Sequence, residues 1–151
     1  MRNTLSVSLR SPRARLGGYV LLPRLIDKVR LQTRGQLPPE YEENLLSQDP
    51  TKLDGHFLAF TGLGAEQLRR VILSEASDEA VLAWVKSHAR PHTSAELDEW
   101  AEKIKAYRPD AARVAYRRRV YPDLAAKVDV GSLDVFDLID MDEGRLPLPA
   151  R

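Results

Sequence analysis

The chain has 151 residues, of which 43% are hydrophobic and 30% are charged, and its formal net charge is +1. These values predict a globular protein with a core, and the charge balance is not the strongly basic one that is typical of nucleic-acid-binding proteins. The sequence contains no cysteine, which excludes disulfides, thiolate metal sites, iron–sulfur clusters and a cysteine nucleophile.

The opening stretch, MRNTLSVSLR, lacks the continuous apolar run of a signal peptide, and no later run approaches the roughly 18 apolar residues that a membrane-spanning helix needs. We therefore expect a cytoplasmic protein that does not associate with membranes. The length fits one domain over residues 1–151, in which residues 145–151 form a short tail.

The first patterned segment, residues 4–9, alternates apolar with polar side chains. Such alternation predicts a strand or an extended segment. We expect residues 1–12 to form an extended arm that packs on helices. Pairing with the Val128 and Val130 segment, or with a second subunit, is the alternative.

The first helix is predicted to begin at Leu22 or Pro23, because proline is tolerated in the first helical turn, and to end before Gly35. Its core face consists of four apolar residues, Leu22, Leu25, Ile26 and Val29. The proline-containing stretch from residue 35 to residue 53 is predicted to be a long connection with about one helical turn inside it.

Capping residues and apolar periodicity predict six further helices. They begin at or near Asp54, Gly64, Ser77, Thr93, Pro109 and Ser132. Thr93 and Glu96 have the spacing of a capping box, in which each side chain accepts a hydrogen bond from the other residue's backbone. The sequence therefore predicts an all-α fold, a single-domain array of six or seven helices.

Two motifs near the ends of the chain carry a family resemblance. SPRARLGGYVLLPRLIDKVR begins at Ser11, DVFDLIDMDEGR ends at Arg145, and FLAFTGL and EAVLAWV lie between them. The chain resembles a bacterial family of small proteins with a domain of unknown function, which has an SPR-x-R-LGG-x-x-x-LPR-x-x-DK start and an FDL-x-D-x-DEG end. The resemblance implies a bacterial cytoplasmic setting and transfers no activity. The chain departs from the family between residues 35 and 52, where a tighter turn with tyrosine and cysteine is expected.

The basic start of the chain is a candidate anion site. Residues 1–34 carry eight basic side chains against one acidic residue, Asp27. The candidate ligands are Arg13, Arg15, Gly17, Gly18 and Arg24, because flexible glycines before a helix can turn backbone N–H groups toward a phosphate or carboxylate. The spacing matches neither a P-loop nor a dinucleotide fingerprint. In the alternative interpretation these arginines pair with acidic residues of the chain's own tail, at Asp137, Asp140 or Asp142.

A second hypothesis is a small helical enzyme of unassigned chemistry, with a pocket around Arg24, Asp27, Lys28 and His56. Adjacent helical positions point about 100° apart, so Asp27 and Lys28 do not face one substrate without help. A carboxylate in basic surroundings is a better ion-pair partner than a general base. A structural role for Asp27 is the alternative.

No metal site or cofactor is predicted. His88 and His92 lie on either side of a proline, so their spacing is not that of two ligands on one helical face. The acidic stretch DLIDMDEG also fails as a calcium loop, because Gly144 occupies a position where an EF-hand needs a ligand.

A third hypothesis is nucleic-acid binding by the basic segments. The run RVAYRRRVY interleaves tyrosines with arginines, as surfaces that stack bases and contact phosphates do. Its arginines project in several directions, which favours a solvated or ion-paired helix instead. The leading prediction is a small helical binding or interaction module whose basic N-terminal region recognises an anionic group on a small molecule or on an acidic protein.

Overall fold

The computed structural model describes residues 9–75 and 77–148. The chain divides into two compact units, and the boundary falls between Asp98 and Glu99. We call residues 9–98 the N-terminal unit and residues 99–148 the C-terminal unit. Within the described residues, no helix combines the length and the apolar character needed to cross a membrane.

The N-terminal unit begins with a short antiparallel hairpin of β1 (Arg15–Leu16) and β2 (Tyr19–Val20). Gly17 and Gly18 connect the strands with φ angles of 59° and 89°. A two-residue hairpin turn needs positive φ at both positions, and glycine adopts it without steric cost. A Cβ atom added to Gly17 would lie 2.6 Å from Leu82, and one added to Gly18 would lie 2.9 Å from Leu97. The two glycines therefore form a tight turn that packs against neighbouring helices.

Six helices follow the hairpin. They are α1 (Leu22–Thr33), α2 (Pro39–Glu42), α3 (Leu53–Thr61), α4 (Ala65–Ser74), α5 (Asp78–His88) and α6 (Ser94–Ala106), the last of which runs through the unit boundary. The predicted core face of α1 is confirmed, since Leu22, Leu25, Ile26 and Val29 are all fully buried. Helix α1 packs on α4, and α4 packs on α5. The buried residues Leu68 and Ile72 of α4, Phe57 of α3, and Val81 and Val85 of α5 complete this core.

The C-terminal unit contains the end of α6 together with α7 (Ala111–Val120), α8 (Pro122–Ala125) and α9 (Val135–Asp142). Its core has Leu124, Val130 and Leu138 at the centre. Asp110 caps the start of α7, and its side chain accepts a hydrogen bond from the Arg113 backbone N–H at 2.9 Å. The loop between α8 and α9 brings Val130 into this core.

The prediction of a mostly helical fold is confirmed, and nine helices lie in the described residues instead of six or seven. The additional helices are α2 and α8, each of four residues. The predicted strand at residues 4–9 and the arm at residues 1–12 lie largely outside the described residues, which begin at Leu9. The hairpin of β1 and β2 was not predicted. The single-domain organisation stays a prediction.

Two predicted helix caps are wrong and two are confirmed. Ser77 caps α5, because its hydroxyl accepts a hydrogen bond from the Ala80 backbone N–H at 3.2 Å. Helix α3 is capped by Lys52, so Asp54 lies inside the first turn. Helix α9 is capped by Asp134 instead of Ser132. The capping box before α6 is confirmed: the Thr93 backbone N–H donates to Glu96 at 2.8 Å, and the Glu96 backbone N–H donates to the Thr93 hydroxyl at 3.1 Å.

Candidate functional site

The structure places the five residues of the predicted anion site in different surroundings. Gly17 and Gly18 form the hairpin turn, so β2 separates them from the start of α1. Arg15 is half-exposed and pairs with Asp98 at 2.5 Å. Arg24 is buried, donates to the Arg10 carbonyl oxygen at 3.2 Å, and lies 5.7 Å from the centre of the Tyr41 ring. Arg13 is exposed. The anion site at these residues stays a prediction.

Asp27 accepts hydrogen bonds from Arg10. The backbone N–H and Nε of Arg10 donate to one Asp27 oxygen at 2.9 and 3.0 Å, and Nη2 donates to the other at 2.9 Å. Arg10 also pairs with Asp78 at 2.6 Å, and Arg30 reaches the same carboxylate at 3.3 Å. The hydrogen bond from Arg10 is the main reason that the pKa of Asp78 is lowered. These four side chains tie the start of the described chain to α1 and α5.

Lys28 and Asp54 form a buried ion pair between α1 and α3. The Lys28 Nζ atom lies 3.0 Å from both Asp54 oxygens, and the two side chains are 7% and 3% exposed. Asp54 also accepts a hydrogen bond at 2.8 Å from the backbone of Leu46, a residue with φ of 54°. Because left-handed backbone is costly for leucine, this bond helps to fix the turn before α3.

Three of the four residues of the enzyme hypothesis contact other groups of the protein. Arg24, Asp27 and Lys28 each bond to groups of the N-terminal unit. His56 is half-buried on α3, and burial lowers the pKa of its imidazole. Since His56 follows Asp54 by two positions, the two side chains lie on opposite sides of the helix. These contacts favour structural roles, and the enzyme hypothesis stays an alternative.

A groove that sequence analysis did not predict lies between α4 and α5. It has a volume of about 380 Å³ and is lined by Gln67, Arg70, Val71, Ser74, Trp84 and His88. We call it the α4–α5 groove. Residues 67, 70, 71 and 74 share one face of α4, and residues 84 and 88 share one face of α5, because positions three or four apart align on a helix. Leu68 and Ile72 of α4 and Val81 and Val85 of α5 are buried in the core beneath these faces.

One wall of the α4–α5 groove is aromatic. The Trp84 and His88 rings are stacked, with centroids 4.5 Å apart and an angle of 19° between planes. His88 Nδ1 lies 2.9 Å from the Trp84 carbonyl oxygen, which can only accept a hydrogen bond, so Nδ1 carries the proton in a neutral ring. The Nε2 atom is then left as an acceptor for a ligand or solvent.

Arg70 supplies the positive charge of the groove. It is exposed, and its guanidinium makes no hydrogen bond or ion pair within residues 9–75 and 77–148. This distinguishes Arg70 from Arg10, Arg15 and Arg30, each of which pairs with a carboxylate. A guanidinium has five N–H donors and no acceptor, so the free groove donors suit an anionic partner.

The predicted nucleic-acid segment lies on α7. The guanidiniums of Arg113 and Arg119 lie 5.3 and 5.2 Å from the Tyr116 ring centre, and the two arginines are three positions before and after Tyr116 on α7. Arg117 is buried and Arg118 is exposed. The arginines therefore point in different directions, as the alternative interpretation predicted, and two of them cover the ring that would have to stack on a base.

The histidines and the acidic tail have other partners. His92 stacks on Phe60 with ring centres 3.9 Å apart. Arg145 pairs with Asp140 at 3.0 Å and with Glu143 at 2.6 Å. No cluster of three histidine or carboxylate side chains in the described part of the chain could hold a metal ion. The predicted pairing of Arg13 or Arg15 with the acidic tail joins the two units and stays a prediction.

Comparison with protein families identifies a match over most of the chain. A family model described as "Domain of unknown function (DUF5069)" matches residues 6–145. This range contains both motifs of the resemblance found in the sequence. No curated protein matches the chain.

Proposed function

The chain belongs to the DUF5069 family, and we propose that it is a small helical binding module whose ligand carries an anionic group. The observation that carries the proposal is that the Arg70 guanidinium, which has no partner in the described residues, lines the same groove as the stacked Trp84 and His88 rings. The proposal also includes a bacterial cytoplasmic setting, which rests on the resemblance of the two terminal motifs.

The chemistry of the α4–α5 groove defines the ligand in two parts. Arg70 can bind a phosphate or carboxylate with two parallel hydrogen bonds. Trp84 and Val71 offer apolar surface for a flat or apolar body. A volume of about 380 Å³ lies in the range of about 300–1,000 Å³ that is usual for small-molecule sites. We therefore propose a small molecule with an anionic group and a planar or apolar body.

This location differs from the basic N-terminal region that the sequence favours. Arg24 is buried there against Tyr41, and Arg15 has Asp98 as a partner. An anion at those residues would have to compete with contacts that already exist. Arg13, Arg15, Gly17, Gly18 and Arg24 remain the second proposed location, and the experiment below separates the two.

The test is a titration of the protein with phenyl phosphate, which joins a ring to a phosphate. Binding is monitored by tryptophan fluorescence at constant ionic strength. We expect saturable binding that is tighter than the binding of inorganic phosphate, because the ring adds apolar contact with Trp84. Arg70→Ala should weaken binding by about tenfold or more, which corresponds to about 1.4 kcal/mol. The matched control is Arg118→Ala, which removes another exposed arginine without a partner in the described residues.

If Arg70→Ala bound phenyl phosphate as tightly as the wild-type chain does, the proposal that the ligand binds in the α4–α5 groove would be wrong. If binding were lost in Arg24→Ala instead, the ligand would belong to the N-terminal region. If neither phenyl phosphate nor inorganic phosphate bound to the wild-type chain, the proposal of an anion-binding module would fail. Thermal unfolding of each variant, measured alongside, shows that a loss of binding is not a loss of folded protein.

A further inference from the structure

Arg117 is a buried cation in the C-terminal unit whose hydrogen-bonding capacity is only partly used. Its side chain leaves α7 toward the loop before α9, where Nη1 donates to the carbonyl oxygens of Val130 and Leu133 at 2.7 and 2.8 Å. The residue is 7% exposed. No carboxylate forms an ion pair with it in the described residues. Taking a charge out of water without an opposite charge is costly, so Arg117 needs further compensation.

The unused donors of Arg117 form the edge that binds oxyanions. Nε and Nη2 have no hydrogen-bond partner in the described part of the chain. Only two buried side-chain atoms there are both sealed from solvent and unpartnered, and neither belongs to Arg117. The Nε and Nη2 atoms therefore retain contact with solvent. These two N–H groups point in parallel, which matches two oxygens of a carboxylate or phosphate.

Arg108 adds a second positive charge near Arg117. Burial is the main reason that the pKa of Arg117 is lowered, and the charge of Arg108 lowers it further. Tyr121, Tyr107 and Asp134 have the opposite effect on the Arg117 pKa. The Arg108 side chain is held by the preceding backbone, because its Nη1 donates to the carbonyl oxygens of Lys105 and Tyr107 at 2.8 and 3.0 Å.

Asp134 is the negative charge in this group, and it has a structural task. Its Oδ1 atom accepts a hydrogen bond at 2.8 Å from the Asp137 backbone N–H, which caps α9. This carboxylate is therefore engaged as a helix cap and forms no ion pair with Arg117 in the described residues.

We propose that Arg117, supported by Arg108, forms a second anion site, distinct from the α4–α5 groove, for a small oxyanion group of the phosphate or carboxylate type. The Nε and Nη2 edge of Arg117 binds two oxygens of the anion. Arg108 is exposed, and its positive charge adds to the attraction of the anion. The bound anion adds a negative charge beside the buried guanidinium and so stabilises the C-terminal unit.

The test follows the Nε–H signal of Arg117 in a ¹H–¹⁵N NMR spectrum during titration of the full chain with inorganic phosphate and, separately, with acetate. Sodium chloride keeps the ionic strength constant and is also the control titrant. We expect a saturable shift with at least one oxyanion and none with chloride. Arg108→Gln should weaken the binding about fivefold, which corresponds to about 1 kcal/mol, whereas Arg118→Ala on the same helix should leave it unchanged.

Two results would overturn this second site. One is an Arg117 signal that does not respond to phosphate or acetate, or that responds equally to chloride. The other is unchanged oxyanion binding in Arg108→Gln, a variant that keeps Arg117 and its carbonyl contacts in place. Arg70→Ala should have no effect in this experiment, so failure of the groove and failure of this site are separate outcomes.

Discussion

The buried ion pair of Lys28 and Asp54 makes the most direct prediction about stability. Replacing one partner leaves the other as an uncompensated buried charge, which typically costs about 3–5 kcal/mol. Both side chains are almost fully buried, with 7% and 3% exposure, so little solvent screening reduces this cost. We therefore expect Lys28→Met to lower the free energy of unfolding by about 3–5 kcal/mol. For a chain of this length, each 1 kcal/mol corresponds to about 2–4 °C in Tm.

Asp54 has a second bond that a matched pair of variants can isolate. Asp54→Asn loses the charge but retains an oxygen that can accept the hydrogen bond from the Leu46 backbone, whereas Asp54→Leu loses both. The difference between these variants should be about 1–3 kcal/mol, the cost of an unsatisfied buried N–H group. Lys28→Met combined with Asp54→Leu should be less destabilised than the sum of the single variants, because no unpaired charge remains.

The assay is urea unfolding followed by circular dichroism at neutral pH. Single variants that each cost less than about 1 kcal/mol, as exposed ion pairs do, would refute the reasoning. Such a result would mean that water reaches the Lys28 ammonium. It would restore the enzyme hypothesis, which requires an accessible Lys28.

Two further predictions concern the N-terminal unit. The hydrogen bond from Arg10 lowers the pKa of Asp78 from 3.8. The stabilisation that this contact gives the folded chain is therefore complete above pH 3.8 and is lost as the pH falls through the lower folded-state pKa. Asp78→Asn should flatten the dependence of the urea unfolding midpoint on pH in the acid range, and an unchanged slope would contradict this prediction. Gly17→Ala should destabilise the chain more than Gly35→Ala, since both have positive φ but only Gly17 would place a Cβ 2.6 Å from Leu82. Equal losses in Tm would show that the hairpin turn does not pack as described.

The elements that the sequence predicted correctly are those controlled by local spacing. The core face of α1 and the capping box at Thr93 and Glu96 depend on residues within one or two turns of each other. Asp54 was misplaced as a cap because a short polar residue before an apolar run looks the same whether it caps the helix or reaches across to Lys28. Only the tertiary contact between Lys28 on α1 and Asp54 on α3 distinguishes these two roles.

The hairpin of β1 and β2 and the α4–α5 groove were not predicted from the sequence, for two different reasons. Strands of two residues are too short to show an alternating pattern, although Gly17 and Gly18 together are a known signal for a two-residue turn. The α4–α5 groove needs one face from each of two helices. The spacing of Gln67, Arg70 and Ser74 was visible in the sequence, but the position of Trp84 opposite them follows from tertiary packing.

The sequence shows that the first 34 residues are strongly basic, but several of these basic side chains form ion pairs within the protein. Arg10, Arg15 and Arg30 each contact an aspartate of the N-terminal unit. Sequence alone gives the number of cations and not their partners. The cation that the structure leaves for a ligand in the groove, Arg70, lies outside the most basic segment.

The most direct test of the binding-module account is a crystal structure of the chain grown with phenyl phosphate at saturating concentration. The account predicts the phosphate within hydrogen-bonding distance of the Arg70 guanidinium and the ring against Trp84 in the α4–α5 groove. A ligand bound at Arg13, Arg15 or Arg24, or an empty groove in crystals that hold the ligand elsewhere, would contradict it.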